Sequence, residues 1–256
     1  MKSKNLYPDI LFHFTNKECL FKILESDFKV SYAREMIIGK EQIREFAAPM
    51  VSFCDLRVSE LKVHMAKYGK YGIGLTKKWA NVNGLNPVVY VNRYSHFIDG
   101  FITGLDEMQF QLIYNSNEEN SEKMNNGLIK LMDTYRYLKN YEGELKREGR
   151  KVVNKYRFAN EREWRYVPPI ATSGIHPLIP IDKIKTRKEK EFLNETIEHL
   201  RLRFEPEDIR YLIIKNDKEI TELITHLNEA KRYFAPHIVD RLKSRIMTSD
   251  QIEDDV

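Results

Sequence analysis

Residues 101–140 carry two helical stripes and no strand signal, while strand-like runs lie on both sides of them. Leu105, Met108, Leu112 and Ile113 make one stripe; Met124, Leu128, Leu131, Tyr135 and Leu138 make the other. Apolar residues at three- and four-residue spacing give a helix one face to bury. The chain therefore reads as a strand-containing core interrupted by a helical segment. The regular strand–helix alternation of a doubly wound parallel sheet is missing. The expectation is an α+β fold with a mixed, largely antiparallel core. Residues 1–100 and 156–249 supply its two halves, 101–155 form a helical insertion, and the acidic tail 250–256 is frayed.

Within that frame, residues 9–14 (DILFHF) read as a short strand. Thr15-Asn16-Lys17-Glu18 has the form of a capping box, and Leu20, Ile23 and Leu24 then share a helix face that ends near Ser26. Lys29–Tyr32 forms a second short strand, followed by a polar, irregular stretch to Ala48 and a buried strand at Pro49–Cys54. Asp55 caps a helix carrying Val58, Leu61, Met65 and Tyr68, which Gly69 ends. Ile73–Thr76 and Pro87–Asn92 read as strands around a helical turn at Trp79. Glu161–Val167 is a strand stopped by Pro168 and Pro169. A helix over Lys188–Leu202, a strand over Asp208–Lys215 and a last helix carrying Ile220, Leu223, Ile224 and Leu227 complete the outline.

Composition narrows the function classes. Of 256 residues, 42% are hydrophobic and 31% charged, which suits a soluble globular chain. No apolar run approaches the ~20 residues that span a bilayer, and MKSKNLYPDI lacks the apolar stretch of a signal peptide, so a cytoplasmic protein without membrane attachment is expected. Two cysteines, Cys19 and Cys54, and seven scattered histidines offer no disulfide framework and no metal-ligand spacing. Net charge is a mild +4. Lys139–Arg157 holds seven Lys/Arg against three Asp/Glu, and Lys231, Arg232, Arg241, Lys243 and Arg245 form a second basic group. Either suits a phosphate backbone, although a solvated helix end and loop is the plainer reading of such a run.

Glu161-Arg162-Glu163 is the run with most chemical content. On a continuous strand Glu161, Glu163 and Arg165 share one face, with the two carboxylates ~7 Å apart. Concentrated negative charge of this kind can steady a cationic centre or activate a nucleophile. The plainer reading is a strand face whose glutamates pair with Arg157, Arg162 or Arg165. His13 and Thr15 also point one way from their strand; the plainer readings there are a core histidine and a helix cap. KYGKYGIGL is neither a dinucleotide fingerprint nor a P-loop, and its glycines suit a helix cap and a strand that passes close to a neighbour.

Together H-F-T, the K-I-L-E helix ending, V-S-F-C-D-L, Y-G-K-Y-G-I-G-L-T and E-R-E-W-R-Y resemble the AbiGi family of bacterial abortive-infection proteins, most strongly over 11–92 and 156–170. The H-x-T strand and following helix also resemble the start of ADP-ribosyltransferase folds such as the DarT toxins and the RNA 2′-phosphotransferases. That distant resemblance implies a split antiparallel sheet, NAD as substrate, and a nucleic-acid or protein acceptor. It would place His13 and Thr15 on the ribose, Ser52 or Tyr71 at the second-strand position, Arg34 on the pyrophosphate, Glu163 as the catalytic carboxylate and Glu161 as its partner. A clean S-T-S second strand is absent, and the insertion stretches the motif spacing. The AbiGi family is itself described as an antitoxin, so the alternative is a transferase-like module that binds a cognate toxin or senses phage without turnover. A metal-dependent nuclease has no carboxylate cluster beyond Glu161 and Glu163 to support it.

Overall fold

The computed structural model describes residues 8–114, 118–145 and 152–255. Its core is a mixed sheet. Strands β1 (Ile10–Thr15), β2 (Ser31–Ile38), β3 (Ile43–Cys54), β4 (Tyr71–Thr76), β7 (Glu163–Tyr166), β8 (Ile209–Ile214) and β9 (Ile246–Thr248) belong to it, while β5 (Val89–Val91) and β6 (Leu138–Asn140) form a separate parallel pair. The main order is β9-β8-β4-β1-β3-β7, with Asn86–Pro87 beyond β7. All of these neighbours run antiparallel except β8 and β9. β3 is 12 residues long and pairs in turn with β2 and β7, while its Cys54 also meets β1 and its Phe46 and Ala47 meet Pro180 and Ile179. Its residues 43–50 pair with β2 and its residues 51–54 with β7.

Helices α1 (Lys17–Ser26), α2 (Leu61–Tyr68), α3 (Lys77–Val82), α4 (Phe97–Tyr114), α5 (Glu118–Tyr135), α6 (Arg187–Thr196), α7 (Ile220–Ala230), α8 (Pro236–Lys243) and α9 (Ser249–Asp255) pack around it. Alternation along β1 and β8 divides the interior. Leu11, Leu212 and Ile214 join Leu20, Leu24, Trp79, Leu223 and Leu227 in one cluster. Phe12, Phe14 and Ile213 join Leu61, Met65 and Ile252 in another. A third cluster seats α4 on the β2–β3 hairpin through Ile37, Phe46, Ile98 and Ile102.

The glycines of YGIGL have a steric cause. In register, Phe12 faces Gly74 and Phe14 faces Gly72. A Cβ on Gly74 would stand 2.8 Å from the Phe12 ring, and one on Gly72 2.9 Å from the Phe14 ring. The two rings lie across bare backbone, and no side chain fits between them. Gly69 ends α2 at φ +120°, where a Cβ would also meet the Thr15 carbonyl oxygen at 2.4 Å.

Several local expectations need correction. Asn16, not Thr15, caps α1: its side chain accepts from the Cys19 N–H, while Thr15 is the last residue of β1. The polar stretch before Ala48 is a regular hairpin, closed by Asp99 of α4. Its carboxylate accepts the N–H groups of Lys40, Glu41 and Gln42 at 2.9, 3.2 and 3.0 Å. A tertiary partner thus satisfies a turn that reads as irregular on its own. Asp55 does not cap a helix but pairs with Lys77 at 2.7 Å. Helices α4 and α5 are followed by a strand: Asn140 of β6 bonds both the N–H and the carbonyl of Ile38, each at 2.8 Å. The predicted strand at 161–167 begins only at Glu163, and the helix expected to reach Leu202 ends at Thr196. The tail is helical rather than frayed through Asp255, with Ile252 1% exposed and Glu253 paired with Lys70 at 2.9 Å; Val256 lies outside the described residues. In the basic stretch Lys139–Arg157, residues 146–151 lie outside the described residues.

Two substitutions test these contacts by thermal or urea unfolding. Gly69→Ala should destabilise by about 1–3 kcal/mol through backbone strain. Ile252→Ala should cost about 2–5 kcal/mol, as for other buried aliphatic truncations; a change below about 0.5 kcal/mol would mean that α9 is not docked in solution.

Candidate functional site

β1 and β3 share a single register pair, Phe12↔Cys54. Where they part, a cavity of about 720 Å³ opens, a volume typical of small-molecule and nucleotide pockets. Phe12, Phe14, His64, Tyr68 and Phe158 supply aromatic wall, and Arg34, Glu35, Glu45, Lys139, Glu161 and Glu163 supply charge. His13 and Ser52 also border it, whereas Thr15 and Tyr71 do not.

Glu163 lies at the centre of a buried charge network. Register places it beside Cys54, and Arg165 beside Ser52, so all four side chains share one face of β3–β7. One carboxylate oxygen accepts the Ser52 hydroxyl at 2.8 Å and Arg165 Nε at 2.6 Å. The other accepts Lys139 Nζ at 2.7 Å. Arg165, with no exposed surface, also donates to Glu35 at 2.6 Å and to the Arg136 carbonyl at 2.8 Å. Two carboxylates and two cations thus balance. Burial alone would raise the Glu163 pKa, but the charges of Arg165 and Lys139 hold it well below the ordinary carboxylate range. Burial would likewise lower the Lys139 pKa, and Glu163 and Glu35 overcome it in the opposite direction.

Glu161 is not on the strand. It ends a 3-10 turn over Phe158–Glu161, and Arg162 then takes a left-handed conformation at φ +45°. That break in the alternation gives the buried Glu161 its own surroundings. The hydroxyls of Tyr68 and Tyr156 donate to it, the latter at 2.8 Å. The two glutamates border one cavity but have separate partner sets.

His13 takes the opposite face of β1 from Phe12 and Phe14. Its ring packs against Phe28 and Phe53, with centroids 5.2 and 5.6 Å away. Nδ1–H donates to the Ser52 carbonyl at 2.8 Å, which stitches β1 to β3 at the split and leaves Nε2 as the acceptor. Burial lowers its pKa, partly offset by that bond, so the ring is neutral at pH 7. Arg34 reaches the cavity rim, but its guanidinium donates to the carbonyls of Ile184 and Lys185. Tyr71 donates to Glu219 at 2.9 Å and packs on the core. The Cys54 thiol is buried, and burial pushes its pKa well up, so it is no nucleophile. Among the described residues no group of three His, Cys, Asp or Glu is placed to hold a metal ion, and no helix is long and apolar enough to cross a membrane.

Sequence reasoning missed Lys139, Glu35, Tyr68 and Tyr156. Lys139 was counted in a basic run and Tyr68 in a helix stripe. Glu35 sits 130 positions from its partner Arg165, and no local spacing signals such a pair.

Glu163→Gln should destabilise the protein by about 3–5 kcal/mol at pH 7, because Lys139 and Arg165 stay buried without their counter-charge. The folded pKa of Glu163 lies below its ordinary 4.5. Its stabilisation is therefore complete above that pH and is lost as pH falls further. Urea titrations of both forms should show the gap narrowing below about pH 4.5. A gap that stays constant into acid would remove the charge network as its cause.

Residues 22–215 match the family described as "Putative abortive phage resistance protein AbiGi, antitoxin". A protein of Lactococcus lactis subsp. cremoris named Abortive phage resistance protein AbiGi is 28% identical over 235 residues, covering 85% of this chain and 93% of that protein. No solved structure matches. Motifs, family match and relative agree over most of the length: this chain belongs to the AbiGi family of abortive phage resistance proteins.

Proposed function

We propose that this chain works on the antitoxin side of abortive phage resistance, as a module that holds a partner protein rather than turning over a substrate. The observation that carries this reading is the engagement of Glu163. Both of its oxygens are already bonded to Ser52, Arg165 and Lys139, and Glu161 is bonded to two tyrosines. A carboxylate that must steady a developing cation has to exchange such partners, at the full expense of a buried ion network. The family's description as an antitoxin supports the same side. The last turns of α4 offer a surface for the partner: Phe110, Ile113 and Tyr114 are 53%, 62% and 69% exposed.

A second reading keeps the ADP-ribosyltransferase-like fold and activity. It rests on the gathering of His13, Arg34, Ser52, Glu161 and Glu163 around one cavity of dinucleotide size. NAD would be the substrate, with nicotinamide leaving C1′ and a nucleic-acid or protein acceptor replacing it. Against it, Thr15 and Tyr71 stand outside the cavity, the Arg34 guanidinium is taken by two carbonyls, and His13 faces the core.

One experiment separates the two. The chain is co-expressed with whichever adjacent reading frame arrests growth by itself, and the purified protein is incubated with labelled NAD and lysate. The binding reading expects relief of arrest that survives in a folded Glu163→Gln protein, fails in Phe110→Asp/Ile113→Asp, and is accompanied by no label transfer. Label transfer that disappears in Glu163→Gln would sink it in favour of the transferase.

A further inference from the structure

A second cavity lies on the β8–β9 side of the sheet. It measures about 290 Å³ and is bordered by Arg210, Tyr211, Ser244, Arg245, Ile10 and Met247. Tyr211 also stacks on Phe12 with centroids 5.7 Å apart, and Phe12 borders the large cavity, so this aromatic pair stands between the two spaces.

The charge here is unbalanced, in contrast to the Glu163 network. Arg210 is exposed and pairs with no carboxylate among the described residues. Arg245 is held in place by its bond to the Ile209 carbonyl. Arg241 of α8 stands near it and, among the described residues, has Glu207, at 3.7 Å, as its ion-pair partner. Burial, then the like charges of Arg241 and Arg210, push the Arg245 pKa down, with Glu207 opposing. Crowding three guanidiniums beside one carboxylate costs Coulomb energy that an anion would return. Guanidinium forks match phosphoryl oxygens in geometry.

We propose that this cavity is an anion site for a phosphoryl group, carried by a free nucleotide or by a nucleic-acid strand, with Arg210 and Arg245 as its principal ligands and Tyr211 beside the attached base. Neither membership of the AbiGi family nor the antitoxin reading assigns it, and it stands or falls independently of both. Ser244 borders the same space and donates its hydroxyl to the Arg241 carbonyl at 2.8 Å, which leaves the oxygen's lone pairs rather than its proton toward other groups. The anion therefore has to be held by the arginines.

The test measures binding of the full chain to ATP, to inorganic phosphate and to a short fluorescein-labelled single-stranded RNA at several salt concentrations. Arg210→Glu is compared with Lys188→Glu, the same charge change on the exposed start of α6. Arg210→Gln serves as a milder variant, with unfolding curves to show that each protein is folded. The expected result is binding that Arg210→Glu weakens by about tenfold or more, with a salt slope lower by about one, while Lys188→Glu changes little. Binding of ATP and phosphate would identify a free phosphoryl ligand, and binding of RNA alone a phosphodiester backbone. Absence of binding by all three probes, or equal loss in Lys188→Glu, would overturn the site.

Discussion

Glu163 and the two cations that hold it tie together parts of the chain that share no local sequence. Lys139 arrives on the strand that follows the α4–α5 pair, Glu35 on the β2–β3 hairpin, Ser52 on the long strand β3, and Arg165 on β7 beside Glu163 itself. Four charges taken from water cost several kcal/mol each unless they meet at bonding distance. Their meeting fixes how the helical stretch returns to the sheet. Asn140 and Asp99 reinforce the same junction, one bonding β2 and the other the hairpin turn. The cavity lies where β1 leaves β3 after one register pair, and Glu35, Ser52, Lys139 and Glu163 of the network border it.

This junction also bears on function. The residues that look most chemical in the sequence are the ones most occupied by structural bonds. Glu163 is charged and buried with both oxygens bonded; Glu161 accepts from two tyrosine hydroxyls; His13 spends one ring nitrogen on stitching β1 to β3. The Arg210–Arg245 cavity has the opposite character: among the described residues Arg210 pairs with no carboxylate, and Glu207 is the carboxylate that faces Arg241 and Arg245.

Much of the core was legible from periodicity. The helix faces of Leu20, Ile23 and Leu24, of Leu61 and Met65, and of Leu223 and Leu227 are buried where their spacing places them. Gly69 and the YGIGL glycines announced a helix end and a close approach, and the neighbours proved to be the Thr15 carbonyl and the Phe12 and Phe14 rings. The β2–β3 hairpin was hidden because its turn is completed by Asp99, nearly sixty positions away. The order of α9 was hidden because one buried isoleucine outweighs an acidic composition.

By itself, the sequence determined the buried faces of several helices and the short apolar strands around them, since those depend on spacing within a few residues, and it carried the motif set of the AbiGi family. Only the tertiary structure decided which charges meet. A left-handed Arg162 breaks the strand alternation between Glu161 and Glu163, and ion pairs between residues as far apart as Glu35 and Arg165 determine what the glutamates can do. Coulomb energy at bonding distance depends on position in space, and no spacing along the chain encodes it.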